Sequence, residues 1–386
     1  MNVIGIIAEY NPFHNGHLYQ IKKIREIFKD SLIITIVNGN FTQRGDISVI
    51  NKWDKAKILL NYVDLVIELP TYYGINSADL FSKCALKILN DLKIDTLVFG
   101  TERDNIDDFY KVIDCMNTNE YKNLLKESLN NGYSFVKSSF ETINKLTNID
   151  ISSPNDILGL MYIKEIVENN YNIKPFNIKR TNNYHSKELN DISSASAIRE
   201  AYLNNIDINN YVPIESIKYM QKISLNDYFE LLKYKIMITD DLTKYHDVKE
   251  GIDVRIRKYI NESDNVDELI EKVKTKRFTY NRIKRILLYI LLDVKSSTDI
   301  YIRPLGFNDK GKSYLNKIKK ELTLPLISNY KDFKDILSFE YKVNSIYSLK
   351  SNTNINDEFN SPIQTDWCQF FVALINSFIK FFCFSS

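Results

Sequence analysis

The sequence predicts an α/β domain built on a parallel sheet, followed by a mainly α-helical domain. Three observations carry that reading. Short apolar runs alternate with helical patterns over residues 1–100. The runs are apolar throughout rather than at every second position, as in strands covered on both faces. From residue 201 to about 295 the pattern is helical, with few glycines.

The first run, Val3 to Ala8, reads as a buried strand that Asn11-Pro12 breaks, and Leu18, Ile21, Ile24, Ile27 and Phe28 follow at helical spacing. Leu32 to Val37 is a second strand, residues 54–62 a helix, and Leu65 to Leu69 a third strand ending at Pro70. Residues 77–92 form another helix, and Thr96 to Phe99 a fourth strand ending at Gly100. In such sheets ligands sit at the carboxyl ends of the strands. Residues 104–170 are mostly helical, with Ser153-Pro154-Asn155 opening one helix. Ile173 to Ile178 is a further strand, a polar loop runs from Thr181 to Asp191, and Ser193 to Arg199 opens another helix. The expected domains are residues 1–200, a helical 201–299 and a small mixed 300–363, with an atypical hydrophobic tail over 364–386. That tail is broken by Asn376 and Lys380 and falls short of the ~20 apolar residues a membrane span needs. It reads as a helix docked on the body, a non-native reading-frame tail or a membrane helix. There is no internal repeat.

At 386 residues, with 44% hydrophobic and 26% charged residues, the chain has ample material for a core. Its net charge of +2 means that any nucleic-acid contact must come from a local patch. Cys84, Cys115, Cys368 and Cys383 form no C-x-x-C pair, so neither a zinc framework nor disulfides are expected, and a reducing cytoplasm fits. The chain opens directly on a core strand, and no signal peptide is expected.

The chemistry concentrates after the first strand, in His14-Asn15-Gly16-His17. Strand, tight turn, two imidazoles and helix put backbone N–H groups and both rings at the positive end of a helix, where phosphate binds. Gly16 lets main chain approach a ligand. Donors placed there stabilise charge that grows on a bound phosphate as one of its bonds breaks. A His-x-x-His zinc pair is the competing reading, but no third ligand has recognisable spacing. Asn38 to Asp46 is a polar loop holding Gln43, Arg44 and Gly45. Ile178-Lys179-Arg180 ends a strand, and Ser194-Ala195-Ser196-Ala197-Ile198-Arg199 starts a helix whose hydroxyls and N–H groups suit a phosphate. Arg199, one turn in, suits a second. Farther on, Lys272, Lys274, Lys276, Arg277, Arg282, Lys284 and Arg285 place seven cations in fourteen residues with no acid among them and with Phe278 and Tyr280 interleaved. A solvated face is the ordinary reading of a charge run. Here the pattern favours RNA-backbone binding.

His14-Asn15-Gly16-His17 resembles the HxGH signature of the nucleotidyltransferase superfamily, and the longer string from Gly5 to Tyr19 resembles the tRNA(Met) cytidine acetate ligases. Similar strings recur along residues 1–362: Gly39 to Gly45 (GNF-x-QRG), Thr275 to Thr279 (TKR-[FY]-T) and Arg303 to Phe307 (R-x-LGF). The stretch ending in Ser194 to Arg199 resembles ISSTxIR, with an extra residue after Ile192 and with Ala195 and Ser196 in place of Ser and Thr. The resemblance implies a Rossmann-like, parallel-sheet nucleotidyltransferase domain. Acetate would attack the α-phosphate of ATP, giving acetyl-adenylate and pyrophosphate. The wobble cytidine of elongator tRNA(Met) would then take the acetyl group on N4, releasing AMP. His14, His17 and Arg199 would be catalytic. Ile7, Ala8, Glu9, Tyr10, Asn11, Pro12, Phe13, His14, Asn15, Gly16, His17, Leu18, Tyr19, Gln20, Gly100, Asn155 and Arg180 would hold ATP, and the loop at Asn38–Asp46 would face the site. Mg²⁺ is expected with ATP, without a recognisable carboxylate set for it, and the basic helical domain would hold the tRNA. No protein partner can be inferred and no stable membrane association is expected. Two alternatives remain open at this point: an adenylyltransferase for a small-molecule cofactor, and a non-catalytic RNA-binding protein on a relic nucleotide fold.

Overall fold

The structure, a computed structural model of the chain, describes residues 1–180 and 194–365. The expected polar loop Thr181–Asp191, Ile192 and Ser193 of the serine-rich motif, and residues 366–386 of the hydrophobic tail lie outside the described residues.

Among the described residues seven strands make one sheet: β1 (Val3–Ala8), β2 (Leu32–Asn38), β3 (Leu65–Leu69), β4 (Thr96–Thr101), β5 (Lys174–Lys179), β6 (Arg303–Asn308) and β7 (Ile363–Thr365). Their order is β5-β4-β1-β2-β3-β6-β7. The first five run parallel, as the alternating pattern predicts. The mixed C-terminal segment adds two more strands: β6 is antiparallel to β3, with β7 parallel beside it. The chain reaches β6 from a long helical excursion rather than through a strand–helix–strand crossover, so the right-handed crossover rule does not set its direction. Residues 303–308 and 363–365 thus complete the sheet begun by residues 3–101.

Alternation within the strands sorts side chains to two apolar layers. From β1 and β2, Val3, Ile7, Leu32, Ile34 and Ile36 enter one buried cluster, and Ile4, Ile6, Ile33 and Val37 enter the other. The first cluster continues into Leu232, Leu269, Ile286 and Leu287, so the helical region shares the core of one sheet face. The strand β5 is the exception in composition. It is a half-exposed edge strand and tolerates Pro175 for that reason.

One buried ion cluster ties the C-terminal segment to this frame. Lys52 Nζ lies 2.7 Å from Glu68 Oε1 and 2.8 Å from Glu358 Oε2, and Arg303 Nη1 lies 3.0 Å and 3.1 Å from the same two carboxylates. Arg303 Nη2 also donates to the Glu358 carbonyl at 2.9 Å. Two cations and two carboxylates, all buried, cancel in charge. Removing one partner leaves its counter-charges uncompensated, which costs far more than the pair contributes. Lys52→Met is therefore expected to lower unfolding free energy by about 3–5 kcal/mol in denaturant titrations. A loss below about 1 kcal/mol, the scale of a surface pair, would show that the cluster does not hold the segment.

Candidate active site

The strand order reverses between β1 and β4, and a cleft of about 210 Å³ opens there at the carboxyl ends of β1, β4 and β5. Its walls are the segment following β1, the Thr42–Asp46 loop, Gly100, Arg180, and the first turns of the helices Pro154–Glu168 and Ala195–Leu203.

His14 is the N-cap of the Asn15–Ile27 helix. Its Nδ1 accepts from the Gly16 N–H at 3.0 Å, and His17 Nδ1 accepts from the His14 N–H at 3.3 Å, a reciprocal capping box made by two imidazoles. The rings stand 3.7 Å apart. A nitrogen that accepts from a backbone N–H carries no proton, so each neutral ring carries its proton on Nε2. Burial lowers the His14 pKa to about 3, with Arg180 and Arg199 adding to the effect. Burial, then His14 and Arg180, holds His17 well below its ordinary value. The pair is therefore two neutral N–H donors beside two guanidinium groups, a set suited to an anion. Phe13, fully buried, stacks on His17 with centroids 5.9 Å apart and sets the plane of that ring.

Glu9, just past β1, accepts from the Gln43 N–H at 2.6 Å and so fixes the loop after β2. Burial raises its pKa, against the pull of Arg44. Lys55 Nζ donates to the carbonyls of Glu9, Asn38 and Gly39 at 2.9, 3.0 and 3.1 Å, one acceptor for each ammonium proton. Burial draws that amine down to about 7. Gly45 has φ +82°, and a Cβ there would sit 3.1 Å from the backbone of Lys284 and Arg285. The glycine thus serves both a left-handed turn and a close approach to the helix Tyr280–Leu291. Its neighbour Asp46 bonds Lys284 Nζ and lies 3.3 Å from Arg199 Nη2. Burial opposes the Asp46 charge, but Lys284 and Arg199 hold its pKa below the usual carboxylate value.

On the opposite wall, Gly100 lies inside β4, where a Cβ would meet Arg180 Cγ at 3.4 Å. Arg180 Nε, buried, has no hydrogen-bond acceptor among the described residues, and Glu102 is 3.6 Å away. Asn155 is not the helix cap. Ser153 takes that role, accepting from the Asp156 N–H at 3.3 Å, and Asn155 Nδ2 donates to Glu102 at 2.7 Å from a position on the cleft. Arg199 Nη1 donates to the Asn11 carbonyl at 2.6 Å.

A family profile described as HIGH nucleotidyl transferase matches residues 1–361. A tRNA(Met) cytidine acetate ligase of Clostridium acetobutylicum is 38% identical, over 94% of this chain and 100% of that protein. The enzyme of the same name from Caldicellulosiruptor saccharolyticus is 39% identical, over 91% and 94%. The chain belongs to the tRNA(Met) cytidine acetate ligase family. Among solved structures, the apo form of Thermotoga maritima TmcAL superposes with a TM-score of 0.88 at 28% identity, covering 95% of this chain and 100% of the other. The same protein bound with alpha-thio ATP gives 0.85 over the same shares.

Of the positions that the ligase-family resemblance assigns to ATP, Ile7 to Asn11, His14, Gly16, His17, Tyr19, Gln20, Gly100, Asn155 and Arg180 line the cleft, as does Arg199. Pro12, Phe13, Asn15 and Leu18 do not. Pro12 is buried, Phe13 and Leu18 pack into the second apolar cluster, and Asn15 is turned toward the Asn210 and Tyr211 carbonyls. Phe81, Leu158 and Tyr162 line the cleft without having been singled out. Their apolar periodicity carries only a core signal. Asp46 was visible only as the end of a polar loop, since its partners stand 153 and 238 residues away.

The basic stretch needs a correction of its own. It contains no acid in sequence, yet folding pairs Lys272 with Glu268, Lys274 with Glu271, Arg277 with Glu250, Arg282 with Asp247 and Lys284 with Asp46. Only Lys276 and Arg285 have no ion pair among the described residues. Lys274, Lys276 and Arg277 are exposed, and the rest are partly buried. Phe278 is buried under the Arg282 guanidinium, 4.5 Å from its ring centroid, rather than offered as a stacking face.

The histidine pair sets a pH dependence with a definite sign. An unfolded His14 takes a proton near pH 6.5, whereas the folded one resists until about 3. The unfolded state then binds more protons, so stability is complete above about pH 6.5 and falls as pH drops toward 3. In denaturant titrations from pH 6 down to 4, His14→Gln is expected to lose stability less steeply than the unaltered chain, by up to roughly 1.4 kcal/mol per pH unit. Parallel slopes would place the His14 proton elsewhere.

Proposed function

We propose that this protein activates acetate with ATP and transfers the acetyl group to N4 of the wobble cytidine of elongator tRNA(Met). The observation that carries this reading is the pair of neutral Nε2–H donors at a helix N-terminus, facing a cleft shared with Arg180 and Arg199. The family's named activity, and the alpha-thio ATP bound to the Thermotoga maritima relative, support it.

The residues present fit ATP. Arg180 Nε, without an acceptor among the described residues, and both Nε2–H groups suit an anion, and Gly100 leaves room beside them. His14 and His17 hold the triphosphate, with Arg180 and Arg199 as further anion clamps. Gly100 and Asn155 hold the nucleoside side. Among the described residues no group of three or more His, Cys, Asp or Glu is placed to hold a metal, and Mg²⁺ belongs with the ATP phosphates in this reading. Acetate oxygen attacks the α-phosphorus and pyrophosphate leaves. The cytosine amine then attacks the acetyl carbon, AMP leaves with the bonding pair, and the amine gives up one N4 proton to solvent. A cytosine amine is a poor nucleophile, so activation must come first. The chain's contribution is position and charge stabilisation. Residues 1–200 carry the adenylation, and residues 201–299 carry the RNA contact, centred on the exposed Lys276 and Arg277. The wobble base must leave its stack to reach the adenylate. No helix among the described residues is long and apolar enough to cross a membrane, and a cytoplasmic location is part of the proposal.

The test is incubation with labelled acetate, ATP and unmodified tRNA(Met). Label is expected in the RNA, dependent on ATP and reduced at least ~100-fold in His17→Ala, the scale of losing a transition-state donor. ATP–pyrophosphate exchange that ignores acetate would overturn the reading. Lys276→Glu with Arg277→Glu is expected to weaken tRNA binding at least ~10-fold while acetate-dependent exchange persists. Equal loss of both would make the stretch structural.

A further inference from the structure

A second cavity, of about 120 Å³, shares Asp46 and Arg199 with the main cleft. We infer that this cavity is the subsite for the extruded cytosine, with the Asp46 carboxylate at the shared wall accepting the N4 amine. The inference rests on the functional reading above and names where its second substrate binds.

Position is the first argument. The N4 amine must meet an acyl carbon held in the main cleft, and the shared wall is where a base and that carbon can lie next to each other. Lys284, from the basic stretch, also lines the cavity, so the route from the RNA contact to the chemistry passes this point. The lining is the second argument. Ile47, Leu203, Ile223 and Leu225 supply aliphatic faces for a flat ring. Asp46, Arg199 and Lys284 supply one acceptor and two donors.

Hydrogen-bond capacity is the third argument. Cytosine presents a donor at N4 beside acceptors at N3 and O2. A carboxylate has about four lone-pair sites. Asp46 gives one oxygen to Lys284 and the other to Arg199, which leaves capacity on both. Lys284 and Arg199 likewise keep N–H groups beyond their bonds to Asp46. Carboxylate acceptance from a cytosine amine is an established pairing in base recognition. Uracil presents a carbonyl oxygen at that position, and two acceptors would then face each other. The cavity is therefore expected to select the base as well as to hold it. Asn226 and Asp267, also in the wall, are engaged with each other at 3.0 Å.

The experiment uses the full chain and two reactions: acetate-dependent ATP–pyrophosphate exchange without RNA, and acetyl transfer to tRNA(Met). Leu203 is 40% exposed at the end of its helix and accepts a larger side chain there. Leu203→Trp fills the cavity and is expected to reduce transfer about tenfold more than exchange, the scale of one lost base contact. A transcript differing only by uridine at the wobble position should compete poorly with the unaltered chain. It should compete about tenfold better with Asp46→Asn, whose amide can donate to the uracil oxygen. Transfer and exchange falling together in Leu203→Trp, or equal competition by uridine and cytidine transcripts for the unaltered chain, overturns the subsite. Exchange without acetate dependence in the unaltered chain overturns the functional reading instead, so the two failures are distinct.

Discussion

Two lysines on the short helix Lys52–Leu59, both fully buried, hold the ends of this molecule together. Lys52 reaches the carboxylates of Glu68 and Glu358, and Lys55 reaches three carbonyls at the ends of β1 and β2. Each is satisfied, which is the condition for burying an ammonium group at all. Through Lys52 the chain after residue 300 is fixed to β3. Through Lys55 the two segments that shape the cleft leave the sheet at fixed positions. Neither His14 nor the Thr42–Asp46 loop touches the ion cluster, yet both depart from strands that this helix secures.

The site shows economy of a different kind. His14 and His17 are at once helix caps and the groups aimed at the cleft. The capping bonds settle which nitrogen carries the proton before any ligand arrives, and burial keeps both rings neutral. Such donors need no reorganisation when charge develops beside them. Across the cleft, Glu102 accepts from Asn155 and places its charge 3.6 Å from Arg180 Nε without bonding it.

Local signals were readable in the sequence and distant ones were not. Apolar runs marked β1 to β4 because each of these strands is covered on both faces, whereas β5 is a half-exposed edge. The direction of β6 had no local signature, since it depends on a return from residues 201–295. The histidine motif was legible because strand, turn and helix are contiguous. Gly45 read as a loop glycine, and its contact with Lys284 and Arg285 needed the fold. The basic stretch misled in one respect. Its acids are absent from the run itself but present in the helices beside it, and pattern alone cannot see across helices. Asn155 is a residue type that commonly caps a helix start, but Ser153 two positions earlier takes that role.

The contact between Gly45 and the helix Tyr280–Leu291 bears on how the protein is made. A ribosome that has released only residues 1–200 has exposed the histidines, the glycine loop and Arg199, but not Lys284 against Asp46. Arg303 and Glu358, which Lys52 needs, come later still. The lining of the cleft is thus complete once Arg199 has emerged, while the brace on its Thr42–Asp46 loop waits for Lys284 and the ion cluster waits for Glu358.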